Sequence, residues 1–574
     1  MSKLLASITG QPLLGAALWQ YRDRDRNMRR PIQALLFSSF LIFAACGDTA
    51  DPVGADPAVE SAGADEGGKG LGGVVVDEDG APVKAAWVTA VSESRRVTVF
   101  SNANGEFALP DRDAASLEVR AIGKEMATLA SPGSGVRVAL QPADDPFAQV
   151  PSSYWLAMLP EGFARQEFVL NCGTCHEIGK NRITLNGQFR DEAMWMAGIA
   201  MMRAIDVYSV LPPDFDDGWY ASWLAEHLGE DKMSSLALPK PPADDLLERI
   251  VFTEYELPQA DSLPHDLVIG PDGLVWITAF FYDQMWALDP VDGSYRKIDI
   301  DDDPEVVAQA RALKFGDDGR LWIVNGGTNA VIRLDTETGD YEEFDVQMYA
   351  HSLDLDTKGN VWVNDYFATQ ERIAKVDAKT GEVTIIGVPE ANRPASEGIP
   401  LPYGLQVDKQ DRLYSTQLAA NTLVVYDTNT GDAELFEMPE ENSGPRRPGV
   451  GPDGSLWIPE FNTGYITRFD PESEEFERVN LGLPTMGAYD IEVDQNSGVV
   501  WITGSLDSSL FRYDPASGRI DRIQFPTEPA FTRHLAIDKD NGDVWSAYSS
   551  LPAATPRVVR VQILPERESV AAAR

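Results

Sequence analysis

The sequence is poor in cysteine, histidine and positive charge. Its 574 residues include 3 Cys and 5 His, and 48 Lys+Arg stand against 90 Asp+Glu, a formal net charge of −42. Three cysteines cannot form a disulfide framework, whereas 43 % hydrophobic residues are enough to build real cores. A charge this negative repels nucleic-acid phosphate instead of releasing its counterions, which excludes nucleic acid as a partner. No Gly-rich phosphate loop or dinucleotide fingerprint is present, so nothing points to a nicotinamide partner. The apolar run near the N-terminus, Pro31 to Ala45, is too short for a comfortable membrane span. The length predicts about three to five domains.

That run follows Arg29-Arg30 and stops at Cys46, the pattern of an export signal over residues 1–45. FAAC resembles a bacterial lipobox, which implies a lipid on Cys46 and a membrane contact through that anchor. With Gly47 next, the resemblance implies an outer-membrane lipoprotein, in the periplasm or at the cell surface. An ordinary signal peptide ending near a cysteine is the alternative. Met28 opens a signal of natural length, so residues 1–27 read as a start-site misassignment. Residues 46–69, rich in Gly, Ala, Asp and Pro and free of aromatics, read as a disordered linker.

Residues 70–142 alternate short β-branched runs with turns such as Asp79-Gly80 and Asn104-Gly105. They resemble the carboxypeptidase regulatory-like sandwich. With no His, Cys or acidic cluster, the segment reads as a spacer or docking domain. Cys172-Gly173-Thr174-Cys175-His176 is a C-x-x-C-H motif, in which two thiols bond to haem vinyl groups and the histidine takes an axial iron position. It predicts one covalent haem c per chain and an electron-transfer partner protein. A thioredoxin-like reading lacks its βαβ setting, and a zinc site lacks further ligands. The flanks, residues 152–231, predict a small all-α cytochrome c module, its last helix similar to the C-terminal helix of cytochromes c. Met202 is the first choice for sixth ligand, on a run from Trp195 that resembles other propeller-linked cytochromes. Met201, Met196, Met194 and His227 stay open.

From about residue 248 to 566 the chain repeats an apolar strand, a GPDG-like turn and a Trp-centred strand. The copies include HDLVIGPDGLVWITA, RALKFGDDGRLWIVN, HSLDLDTKGNVWVND and RRPGVGPDGSLWIPE. Four short strands per copy, seven times over, predict a seven-bladed β-propeller. Ile250–Pro258 is expected to close the last blade. The tryptophans, among them Trp276, Trp322 and Trp457, are expected as core wedges.

The first strand of each blade lines the axis, so equivalent positions converge at one mouth. That column is His265, Arg311, His351, Tyr403, Arg446, Tyr489 and Arg533. Its arginines favour an anionic or carbonyl-bearing small molecule. A second column includes Asp365 and Glu460, expected to neutralise and orient the cationic ring. A polar, water-filled channel is the plainer alternative. Burial among arginines should make His351 harder to protonate and Tyr403 a stronger acid. Arg446 is expected to be replaceable without loss of core packing.

The repeats resemble the virginiamycin B lyase (streptogramin lyase) family. The resemblance implies catalytic histidines from two adjacent blades, a Glu fourteen residues after the second, and Mg²⁺. Glu460 follows Arg446 by fourteen, and Asp365 follows His351 by fourteen, but neither set has both histidines. The whole chain therefore reads as mainly β: a propeller with a β-sandwich and a cytochrome c module. Two functions compete. One is an exported haem protein that relays electrons from small-molecule binding or oxidation in the channel. The other is a carbon–oxygen lyase or a redox-silent ligand-binding propeller.

Overall fold

The computed structural model describes residues 60–61, 71–110, 114–133, 135–174, 176–205, 215–240, 246–300, 307–389, 399–550 and 556–565. The export signal, Cys46, nearly all of the linker, and Cys175 lie outside the described residues. All described residues belong to one compact unit, Ala55–Arg574. The architecture is mainly β and propeller-like, with few helices.

Six four-stranded antiparallel sheets follow one another from Pro264 to Gln524. In each, a chain-local hairpin meander pairs neighbours in sequence, so ladder hydrogen bonds form over short loops. A further set of four, Thr532–Ile537, Val544–Tyr548, Arg557–Ile563 and Ile250–Glu256, has the same order, its outermost strand supplied by the beginning of the repeat region. The first strands of successive sheets pack side by side, and Pro264–Ile269 returns to Thr532–Ile537. The repeated tryptophans sit between sheets: Trp276, Trp322 and Trp362 are buried at 0–2 % exposure. The Trp362 indole N–H also donates to Asp356.

The closing strand Ile250–Glu256 carries a second partner on its free edge. It pairs antiparallel with Arg96–Phe100, so sheet order runs on through Trp87–Val91, Ser116–Arg120 and Ala127–Ala130. Residues 71–140 are thus welded to the repeat region by an eight-stranded sheet, not held off as a spacer. Val251 belongs to the apolar core of this sandwich, with Val88, Val99, Leu117 and Val138. The arrangement covers an edge that would otherwise expose unpaired N–H and C=O groups.

The helices cluster between Ser152 and His227. The expectation of an all-α segment is corrected in one respect: a two-stranded ladder, Thr184–Leu185 with Gln188–Phe189, interrupts the helices. Its core of Trp155, Phe168, Ile183, Trp195, Tyr220 and Leu224 runs without a break into Tyr403, Phe461, Tyr489 and Phe531 of the repeat region.

Candidate functional site

The inner strands do not keep the two-residue alternation of a regular strand. Six of them slip register at the column residue, between Pro264/Leu267, Ala310/Leu313, Ala350/Leu353, Pro402/Leu405, Ala488/Ile491 and Thr532/Leu535. A bulge of this kind bends the strand and re-aims a side chain. In the remaining repeat Pro448 lacks an N–H, and the inner strand shrinks to Gly449–Val450. There Arg447 bridges in parallel to Asp490 of the next repeat instead.

The predicted column is buried throughout: His265, Arg311, His351, Tyr403, Arg446, Tyr489 and Arg533 are all 5 % exposed or less. Four of its members join directly. The Tyr403 and Tyr489 hydroxyls touch each other, Arg446 donates to Tyr403 at 3.0 Å, and Arg533 donates to Tyr489 at 3.2 Å. The Arg446 guanidinium lies 3.9 Å over the Phe461 ring and 4.4 Å over Tyr489. Its full burial corrects the expectation that it could be truncated without loss of packing. The His351 ring lies tilted against Tyr403 at 4.1 Å between ring centres, and its Nδ1 meets the Tyr403 carbonyl at 2.9 Å. Burial, then the charge of Arg311, hold the His351 imidazole well below its usual range, so it is neutral. Arg311 instead donates to the Tyr349 hydroxyl.

Two expectations about charge are overturned. Asp365 and Glu460 do not neutralise the column. Asp365 accepts from Arg372 at 2.5 Å. Both Glu460 oxygens are taken by Arg478 at 2.7 and 2.9 Å, with Thr463 and Thr467 as further donors. Both are the last residues of second strands, and each turns to an arginine further along its own sheet. Nor is Tyr403 the stronger acid. Burial and the adjacent Tyr489 push it up. Tyr489 also feels burial, but Arg533, Arg446 and Arg447 outweigh it and draw its hydroxyl below the ordinary tyrosine range.

One residue further along lies a ring the column did not include: Asp266, Ser352, Arg447, Asp490 and His534. Arg447 donates to Asp266 at 2.6 Å, and the other Asp266 oxygen meets His265 Nδ1 at 2.6 Å. Burial disfavours the Asp266 carboxylate, yet Arg447 holds it well below the usual carboxylate range. Burial takes His265 down to about 3 and lifts Asp490 to about 6. Arg446 and Arg447 are consecutive and both buried in the one repeat whose inner strand is cut back to Gly449–Val450, so the two-residue alternation does not separate them.

The C-x-x-C-H loop sits on this column. Thr174, between the two cysteines, accepts from Arg446 on its hydroxyl at 2.9 Å and from Arg533 on its carbonyl at 3.3 Å. Gly173 packs so tightly that a Cβ there would lie 3.1 Å from Leu506 and 2.8 Å from the Val169 carbonyl. Ser153 adds bonds to the Leu506 carbonyl and to Asp507, and Glu177 accepts from Ser550 at 3.0 Å. No sequence pattern foretold Thr174 as a contact.

Of the three residues a covalent haem c would take, Cys172 and His176 are described and Cys175 is not. His176 Nδ1 lies 3.0 Å from the Glu177 carbonyl, a contact only a protonated Nδ1 satisfies, which leaves Nε2 free for iron. Met202 is half-buried, while Met196, Met201 and Trp219 expose apolar surface on two helices that pack together. His227 Nδ1 is engaged by the Trp223 carbonyl at 2.8 Å. Magnesium fits poorly: Glu460 is saturated by Arg478 and two threonines. Among the described residues no group of three or more His, Cys, Asp or Glu is arranged to hold a metal ion.

The virginiamycin B lyase family matches residues 301–553. The propeller is virginiamycin B lyase-like. A streptogramin B lyase structure is similar to this virginiamycin B lyase-like propeller at 21 % identity and TM-score 0.49, covering 56 % of this chain and 100 % of the other. A virginiamycin B lyase from Staphylococcus aureus gives 18 % and 0.48, over 55 % and 100 %. A catalytically inactive form of the Staphylococcus aureus enzyme with quinupristin gives 19 % and 0.47, over 55 % and 100 %. No curated protein matches the chain.

Proposed function

We propose that this protein is an exported c-type cytochrome built onto a seven-bladed, virginiamycin B lyase-like propeller, and that its haem-binding loop caps the axial channel. The observation that carries this reading is Thr174, held from below by Arg446 at 2.9 Å and by Arg533. A loop that only decorated the surface would not spend two buried guanidiniums from the channel column.

Cys172, Cys175 and His176 would hold the haem, with Met202 as the sixth ligand ahead of Met201, Met196, Met194 and His227. Bound there, haem c supplies one-electron chemistry. The protein's own part is positional. Glu177 fixes the His176 ring through its carbonyl, and Arg446 and Arg533 fix the loop between the cysteines. Neutral His351 and the Tyr403–Tyr489 pair offer proton acceptors at the same end of the channel, where a small anionic or carbonyl-bearing molecule would bind. Export, lipidation of Cys46, an outer-membrane location and an electron-accepting partner protein complete the reading.

The test is a pyridine haemochrome assay on protein exported with cytochrome maturation machinery. One covalent haem per chain is expected, lost in Cys172→Ala; haem extractable by acid acetone, or none, overturns the reading. In the loaded protein, Met202→Ala should remove the Met–iron charge-transfer band and lower the reduction potential, because thioether ligation favours ferrous iron. The same change from Met201→Ala alone would move the ligand by one residue.

The family match favours a second reading, a carbon–oxygen lyase or ligand-binding propeller with a redox-silent cap. Cleavage of a cyclic depsipeptide by haem-free protein, dependent on added Mg²⁺, would establish it over the first. The engagement of Glu460 by Arg478 argues the other way.

A further inference from the structure

The two channel tyrosines pose a problem of proton counting. The Tyr403 hydroxyl has two polar neighbours, the Tyr489 hydroxyl and the Arg446 guanidinium. The Tyr489 hydroxyl also has two, the Tyr403 hydroxyl and the Arg533 guanidinium. A guanidinium only donates. Each oxygen therefore receives one proton from an arginine, and one slot remains between the two oxygens for two hydroxyl protons. Tyr403 is 4 % exposed and Tyr489 is fully buried, so bulk water does not accept the second proton. Among the described residues no other acceptor stands against either hydroxyl.

The counter-charge leads to the same place. Arg446 is fully buried, and its described partners are all neutral: the Tyr403 hydroxyl, the Thr174 hydroxyl and the faces of Phe461, Tyr489 and Tyr403. Its Nε has no partner. A buried guanidinium without an anion is costly, and the carboxylates expected to serve it, Asp365 and Glu460, are held by Arg372 and Arg478.

We propose that Tyr403 and Tyr489 hold a single hydroxyl proton between them, as a phenol donating to a phenolate, and that this pair is a buried base behind the C-x-x-C-H loop. Tyr489 is the ionised member and Tyr403 the donor. The charges facing the pair are consistent with that order. Tyr489 faces Arg533, Arg446 and Arg447, whereas Tyr403 faces Arg446 and Arg447 together with the neutral groups His351 and Tyr366. On the loop side Arg446 donates to the Thr174 hydroxyl and Arg533 to the Thr174 carbonyl. Each phenol oxygen is thereby one guanidinium away from Thr174. The cationic column then carries its own internal anion, and the channel mouth is a place that accepts and releases a proton.

The experiment is an ultraviolet phenolate titration of the folded full-length chain against the same chain in guanidinium chloride. In the folded protein one of the 17 tyrosines should ionise ahead of the rest, below the ordinary value of about 10. Unfolding at about one pH unit below that value should abolish roughly one equivalent of phenolate. No excess phenolate in the folded chain overturns the proposal. Tyr489→Phe should remove the early equivalent, while Tyr341→Phe on the surface should leave it. An early phenolate that survives in folded Tyr489→Phe also overturns the assignment. These readouts need no haem. A further arm rests on the proposed function: in haem-loaded protein the midpoint potential should rise as pH falls through the same transition, and Tyr489→Phe should flatten that rise. A flat wild-type profile removes the link to haem and leaves the shared proton standing; absence of haem removes the cytochrome reading alone.

Discussion

Two sets of buried residues lie one sequence position apart across the repeats, and they neutralise buried arginine differently. Arg447 has a carboxylate, Asp266, at 2.6 Å, itself bonded to His265. Arg446, its neighbour in sequence, has hydroxyls and aromatic faces. The first is an ordinary buried ion pair, whose desolvation is repaid only while both partners remain. The second places a guanidinium where phenols and a loop threonine must substitute for an anion. A carboxylate makes a fixed, pH-insensitive pair near neutrality; phenols make one that can exchange a proton. The chain puts the exchangeable version beside the C-x-x-C-H loop and the fixed version one step away from it.

The largest expected effect breaks the fixed ring. Asp266→Ala leaves Arg447 buried and unpaired and should cost about 3–5 kcal/mol in urea unfolding. A loss below about 1 kcal/mol would mean that Asp490 takes over the pairing. Arg446→Ala should cost less, about 2 kcal/mol from its desolvated cation–π contacts, read in the same denaturation series. A cost equal to that of Asp266→Ala would erase the distinction between the rings. Thr174→Val, which removes the loop's hydroxyl from Arg446, should cost about 1 kcal/mol and leave the sheet signal in circular dichroism unchanged.

The smallest effect is the one with a sign. Tyr489 has its hydroxyl drawn below the unfolded value of about 10, so the folded state releases that proton first. Stability from this group is fully present above the unfolded value and is lost as pH falls through the folded one. Between those two values wild type should gain stability with rising pH relative to Tyr489→Phe, measured by paired denaturant midpoints. Parallel curves would return the phenolic ring to the same class as the carboxylate ring.

Much of this was legible in the sequence because repetition averages out local noise. The Trp-centred strands and GPDG turns recur often enough to place every inner strand, and with them the column from His265 to Arg533. What was not legible is what each side chain meets. Glu460 and Arg446 are fourteen residues apart, yet Glu460 turns to Arg478 on a later strand of its own sheet. Arg447 escaped notice because a regular strand sends consecutive residues to opposite faces. The sandwich likewise read as separate, since nothing in residues 70–142 announces that Arg96–Phe100 will pair with Ile250–Glu256.

The sequence by itself determined the class of secondary structure, the repeat, the positions of the inner strands and the C-x-x-C-H motif, because these depend on side-chain period and on residues adjacent in the chain. Tertiary structure alone decided the partners. The bulges override the period of two and aim neighbouring residues at one axis. The loop at Thr174 meets Arg446 across 272 residues of chain. A proton shared by Tyr403 and Tyr489 depends on burial and on two guanidiniums from other repeats, Arg446 and Arg533, and neither is a property of the tyrosines' own sequence.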